Sequence, residues 1–210
     1  FGGHALLVFG NGAHKTDLLL WGAAQFGRWG LLDHHAGAFA LELGHQFPGA
    51  WQPWLRGGFF RSTGDGEPGD SKHTTFFQVL PTPRIYARFP FFNLMNNQDL
   101  FAEFRLKPAA RLALRADLRF LRLSSRRDLW YLGGGAFQER TFGYLGRPGN
   151  QHSALGTLFD ASLDYDLTSL TRLSFYAGGV RGGAVQAAIY PAGGRHPAAR
   201  FIYLELVQRF

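Results

Sequence analysis

Between residues 111 and 123 the chain reads RLALRADLRFLRL, and its side chains alternate without a break. Leu112, Leu114, Ala116, Leu118 and Phe120 take every second position, with Arg111, Arg115, Asp117 and Arg119 between them. Period two is the repeat of a β-strand, whose successive side chains point to opposite faces. On a helix the same arginines would scatter around the axis. The segment therefore predicts a strand with one apolar face and one charged face. The pattern recurs at 98–107, where Leu100, Ala102, Phe104 and Leu106 alternate with Asp99, Phe101, Glu103, Arg105 and Lys107. It recurs again in the closing FIYLELVQRF, where Ile202, Leu204, Leu206 and Phe210 share one face and Tyr203, Glu205 and Arg209 the other.

Strands of this kind have two homes. In a soluble sandwich a second sheet covers the apolar face. In an outer-membrane barrel that face meets lipid, while the polar face meets a wet lumen. A terminal strand that ends on an aromatic, here Phe210, resembles the last strand of such a barrel. Composition leans the same way: 21 Phe, 28 Gly and a mean hydropathy of −0.12 suit aromatic girdles on a chain with no long apolar run. No segment approaches 18 consecutive apolar residues, which excludes a transmembrane helix. With no Cys there is no disulfide framework and no Cys-based zinc site.

Nine strands are expected, at 4–11, 16–26, 35–47, 54–62, 98–107, 111–123, 154–167, 171–180 and 201–210. Short turns fall at 12–15, 48–52, 108–110 and 168–170, and long loops at 27–34, 63–97, 124–152 and 181–199. Outer-membrane barrels alternate short periplasmic turns with long outer loops, whereas a sandwich has no reason to. Nine is an odd count, and bacterial single-chain barrels have even ones. An open sheet would also leave edge groups unpaired in lipid, at several kcal/mol each. The chain opens on Phe1 with no signal peptide. The expectation is one barrel domain over residues 1–210, incomplete at its N-terminus.

Four stretches carry a family likeness: LLLWGAAQFGRWG at 18–30, TFFQVLPTPRIYARFPFFNLMNNQDLFAEFRL at 75–106, DLWYLGGGAFQ at 128–138 and the final YLELVQRF. Together they resemble the alginate export family of outer-membrane channels. The resemblance implies an all-β fold, a transmembrane antiparallel β-barrel of which these nine strands form the C-terminal half of a roughly 18-stranded whole. It implies a bacterial outer-membrane location, no enzymatic activity, no cofactor, and passive export of an anionic polysaccharide such as alginate. Outer-membrane lipid and periplasmic export components would be its other partners, and nucleic acid would not.

A net charge of +7 and a pI near 10.1 point to an anionic partner. The basic residues with inward phase are Arg56, Arg105, Lys107, Arg111, Arg115, Arg119, Arg172 and Arg209, and Arg84 and Arg88 join them if the long loop at 63–97 folds inward. Glu103, Asp117 and Asp160 share that lining. Arginine suits a uronate because its planar fork meets a carboxylate bidentately and never loses its charge. Arg115 and Arg119 stand foremost: with Arg105 and Lys107 they outnumber Glu103 and Asp117 on two neighbouring strands. The competing reading is a wall-stiffening ladder in which these arginines pair with Glu103, Asp117, Asp160, Asp164 and Glu205.

Other signals are weaker. Asp65, Glu67 and Asp70 in TGDGEPGD offer oxygens to Ca²⁺, although such a stretch is more often a solvated loop. His34-His35 lacks metal-site spacing, so no metal is expected. A general or small-solute porin is the alternative function. An outer-membrane hydrolase ranks lower, since no G-x-S-x-G elbow is present. A soluble basic β-protein that binds nucleic acid or an acidic glycan comes last, because one whole face of every strand is apolar.

Overall fold

The computed structural model describes residues 1–12, 14–79, 89, 92–132, 145–189 and 197–210. Its strands are β1 (Gly2–Asn11), β2 (His14–Trp29), β3 (Leu32–Gln46), β4 (Trp54–Ser62), β5 (Lys72–His73), β6 (Asn97–Ala109), β7 (Leu112–Leu123), β8 (Leu129–Leu132), β9 (Leu145–Pro148), β10 (Ala154–Asp166), β11 (Thr171–Gly182) and β12 (Ala198–Gln208). Nine of them form one antiparallel meander in the order β1-β2-β3-β4-β6-β7-β10-β11-β12. The short β5 runs parallel to the start of β3, and β8 and β9 form a hairpin of their own. The six-residue α1 (Ala184–Ile189) is the one helix among the described residues, and no helix is long and apolar enough to cross a membrane. β1 and β12 each have a single neighbour, so the sheet is an unclosed wall. It is a partial β-barrel.

The expected long loop at 27–34 is corrected. β2 and β3 pair as far as Trp29 opposite Leu32, and Gly30 and Leu31 alone make the turn. Gly30 has φ +63°, which a glycine adopts without steric cost. The glycines of GRWG read as a loop, but only the second one turns the chain. The other three long connections remain long, and they carry β5, the β8–β9 hairpin and α1. The β1–β2, β3–β4, β6–β7 and β10–β11 connections, all short, lie at one end of the sheet with the close of β12, the turn end; the three long connections and the two-residue β2–β3 turn lie at the other, the loop end.

The two faces are sorted as the alternation predicts. Phe39, Leu41, Leu43, Leu100, Phe104, Phe120, Ile202 and Leu206 are exposed on the outer face, and Leu204 is 68 % exposed. On the inner face Arg119 is 2 % exposed. This order is the reverse of a soluble protein's, in which large aliphatic side chains are buried and charges exposed. Each such side chain left in water forgoes about 1.5–3 kcal/mol, so the outer face calls for an apolar surrounding.

At the loop end the inner face is covered by the described residues of the β4–β6 connection, 63–79, 89 and 92–96. Phe76 and Leu94 pack on Ala36, Ala38, Ala40 and Phe60. The three alanines have inward phase on β3, and their small side chains leave the volume that the loop fills. Phe89 and Phe92 pack against Leu121, Leu155, Leu158, Tyr176 and Val180. Gln25 reads the loop's backbone in both directions: its Nε2 donates to the Phe77 carbonyl at 2.6 Å and its Oε1 accepts from the Phe77 N–H at 2.8 Å. Asp128, 4 % exposed, accepts from the Asp65 N–H at 2.8 Å, Thr75 Oγ1 at 2.6 Å and the Tyr131 hydroxyl at 2.8 Å. One buried carboxylate thus ties this loop to the start of the β8–β9 hairpin. Burial, with Asp128 beside it, pushes the Tyr131 phenol up.

Candidate functional site

The inner wall below the loop is a belt of ion pairs whose partners are set by strand register. Arg56 on β4 donates from Nη1 to Glu42 on β3 at 2.8 Å and from Nη2 to Asp17 on β2. Gly44 stands between Asp17 and Arg56 in the register, and a Cβ there would come within 2.5 Å of the Asp17 carboxylate. Glycine at that position lets an arginine reach across a whole strand. The Arg56 guanidinium also lies 4.6 Å over the Trp54 ring.

Glu103, Asp117 and Asp160 stand directly opposite one another on β6, β7 and β10. Three carboxylates in one row repel unless cations are set between them. Arg115 and Arg119 flank Asp117 on its own strand and face. Arg115 approaches Glu103 at 3.0 Å and Asp117 at 2.6 Å. Arg119 donates to Asp99 and lies 3.3 Å from Asp117, with its guanidinium 4.5 Å over Phe101. From β2 to β10 the inner face carries the carboxylates Asp17, Glu42, Asp99, Glu103, Asp117 and Asp160, against the guanidiniums Arg56, Arg105, Arg115 and Arg119. Acids outnumber bases in this belt. The expected excess of bases on β6 and β7 is thereby corrected: Asp99 lies on β6 itself, and neighbouring strands bring Asp17, Glu42 and Asp160 to the same wall.

The turn end is different. Arg111 just before β7, Arg172 on β11 and Arg209 just after β12 line a cavity of about 500 Å³ together with Asp164, Asp166 and Glu205. All three arginines are exposed. Arg172 donates to Asp166 at 2.7 Å, and Arg111 to the Leu167 carbonyl at 3.4 Å. Lys107 is exposed near the same end of β6. Arg105 is 54 % exposed, held by Glu103 and lying 4.8 Å over Trp54. The expected lining residues thus divide into two sets. Arg56, Arg115, Arg119, Glu103, Asp117 and Asp160 belong to the covered belt, while Arg105, Lys107, Arg111, Arg172 and Arg209 are open to a solute. Arg84 and Arg88 lie outside the described residues, although the described parts of their loop do fold against the inner face.

No metal site forms from the expected oxygens. Asp65 accepts from the Glu67 N–H at 3.0 Å and Asp70 from the Lys72 N–H at 2.7 Å, so both carboxylates cap their own loop. Among the described residues no three His, Asp or Glu converge. The histidines do something else at the loop end. His34 and His73 face each other Nδ1 to Nδ1 at 2.8 Å, and Trp29 stacks on His73 at 4.6 Å between ring centres. Burial, and the neighbouring His34, hold the His73 imidazole below its ordinary value.

An amphipathic meander with a charged inner wall is the architecture that the sequence likeness implies, and a family model described as alginate export matches residues 3–196. The chain belongs to the alginate export family. Comparisons with the curated proteins and with the solved structures returned no match. Proteins of the alginate export family are outer-membrane porins, and membership supports a role in export of alginate or a related polysaccharide.

Proposed function

We propose that the nine strands form part of the wall of a passive outer-membrane channel that exports an anionic, uronate-type polysaccharide. The turn end then faces the periplasm, and the polymer enters past Arg111, Arg172 and Arg209. The observation that carries this reading is the 500 Å³ cavity at that end, where three exposed guanidiniums stand among Asp164, Asp166 and Glu205. A carboxylate that sheds water on entering a pore needs a compensating charge, and the arginine fork supplies it bidentately. Further in, Arg56, Arg115 and Arg119 are already occupied by carboxylates of the wall. The belt therefore offers a moving polyanion little to hold, and transport requires weak, repeated contacts of this kind. Arg105 and Lys107 extend the basic surface from the mouth toward the belt.

A general small-solute porin is the second reading, and the excess of carboxylates in the belt favours it. Planar-bilayer recording of the protein purified from the outer membrane separates the two. An anion-selective pore blocked by polymannuronate or polyguluronate supports export. The triple substitution R111Q/R172Q/R209Q should then weaken block by about tenfold, equivalent to roughly 1.4 kcal/mol. A cation-selective pore indifferent to both polymers overturns the export reading in favour of the general porin.

A further inference from the structure

The outer face carries a second basic feature, at the loop end, which polymer transport does not use. On four strands the outward apolar run stops at an arginine. Phe59 is followed on that face by Arg61, and Leu118 and Phe120 by Arg122. Phe175, Ala177 and Gly179 lead to Arg181, and Leu206, Leu204 and Ile202 lead back to Arg200. All four arginines are exposed. Among the described residues none is in an ion pair; Arg122 donates to the Ser153 hydroxyl at 3.2 Å. Every Asp and Glu on β4, β6, β7, β10, β11 and β12 has inward phase, so no acid on these strands shares the outer face with them.

Register gathers these side chains. Arg61 opposes Gln98, and Gln98 opposes Arg122, so the three form one row. Strands lie about 4.8 Å apart, which puts Arg61 and Arg122 roughly 10 Å from each other. Arg200 opposes Gly179, two residues from Arg181, which makes Arg181 and Arg200 diagonal neighbours at about 7–8 Å. The depth is also informative. Leu112 to Arg122 spans about 33 Å of strand, or roughly 25 Å of membrane at a barrel's usual tilt, the height of an apolar band. The arginines thus stand where hydrocarbon ends on the side away from the short turns.

We propose that Arg61, Gln98, Arg122, Arg181 and Arg200 bind the phosphorylated sugar head of an outer-leaflet glycolipid of the lipid A type. This rests on the reading of the chain as an outer-membrane wall. Charge complementarity selects the occupant: phosphate is the anion that paired guanidiniums meet best, and the rim of the apolar band is where a lipid head lies.

The test uses the protein purified from the outer membrane, stripped of lipid in mild detergent and incubated with diphosphorylated lipid A, with the same lipid after phosphatase treatment, or with phosphatidylglycerol. Bound lipid is counted by native mass spectrometry, and conductance is recorded in parallel. Wild-type protein should retain diphosphorylated lipid A in preference to the other two. R61Q/R122Q/R181Q/R200Q should lower the bound fraction by about tenfold and leave conductance unchanged. Equal retention by the variant, or equal retention of the dephosphorylated lipid or of phosphatidylglycerol, overturns the proposal. Arginine-dependent retention by a protein that does not conduct would uphold it while the channel reading fell. A conducting pore without that dependence would do the reverse.

Discussion

Arg115 stands directly opposite Arg105 in the β6–β7 register, and one carboxylate, Glu103, holds both guanidiniums. Two like charges face to face across a ladder cost stability unless an anion is shared between them. Glu103, 5 % exposed, is that anion. Glu103→Gln should therefore destabilise the wall by about 3–5 kcal/mol, the cost of stranding a covered charge. Arg105→Gln, on a far more exposed partner, should cost about 1 kcal/mol or less. Urea unfolding in detergent micelles, followed by tryptophan fluorescence, measures both.

Arg119 and the three mouth arginines should separate stability from selectivity. Arg119→Ala leaves Asp99 buried without its cation and Asp117 with Arg115 alone, and a loss of about 3–5 kcal/mol is expected. Ion selectivity, read as reversal potential in a salt gradient, should shift less in that variant than in R111Q/R172Q/R209Q. The triple variant should unfold within about 1 kcal/mol of wild type, because exposed pairs contribute little.

Gly44 is predicted to be intolerant of even a methyl group. A Cβ there would stand 2.5 Å from the Asp17 carboxylate, so the carboxylate must swing away from Arg56. Gly44→Ala should cost about 1–3 kcal/mol as an overpacked site. Asp17→Ala should remove most of that difference in a double-mutant cycle, since it takes away the carboxylate that the new methyl would meet. Additive losses would show that the clash lies elsewhere.

Ala38 seats the inserted loop. Ala38→Phe should lift Phe76 and Leu94 off the wall at a cost of about 1–3 kcal/mol. Residues 75–78 and 92–96 should then exchange amide hydrogens faster, and unit conductance should rise as the lumen widens. An unchanged conductance would show that the loop does not narrow the pore.

The imidazole pair makes the loop's attachment sensitive to acid. His73 is held below its ordinary value of 6.5, first by burial and then by His34, with Asp65 and Asp128 pulling the other way. A depressed imidazole pKa means that the unfolded loop takes up protons more readily than the folded one. The stabilisation is thus full above about pH 6.5 and is lost as pH falls below it. Protection factors at Phe76 and Phe77, taken against the intrinsic amide exchange rate at each pH, should fall between about pH 7 and pH 5 in wild type, and much less so in His73→Phe. The aromatic replacement keeps the stack on Trp29 and removes the titration.

Much of the architecture was legible without coordinates. The alternation at 111–123 placed Asp117 and Arg119 inward and Leu118 and Phe120 outward, and β7 has that arrangement. The same rule located the nine strands of the meander, because period two is a local property of a pleated chain. It failed at residues 27–34, where glycine spacing suggested a loop and the strands instead run on to a two-residue turn. Trp29, His34 and His73 meet there only because β5 returns from far along the chain, and no local pattern announces that.

By itself the sequence determined the strands, the sense of their faces and the family, since each of these is written in neighbouring residues. Which arginines are engaged was decided by tertiary structure. Arg56 meets Asp17 across 39 positions of sequence because two hairpins set the register of β2, β3 and β4 and Gly44 leaves the gap between them. Glu103, Asp117 and Asp160 become one row through the turns that join β6 to β7 and the long connection that brings in β10. A one-residue slip in either register would turn these charges to the outer face. Charge pairing in a sheet is a property of register, and register is set by turns and packing that lie far from the charges in sequence.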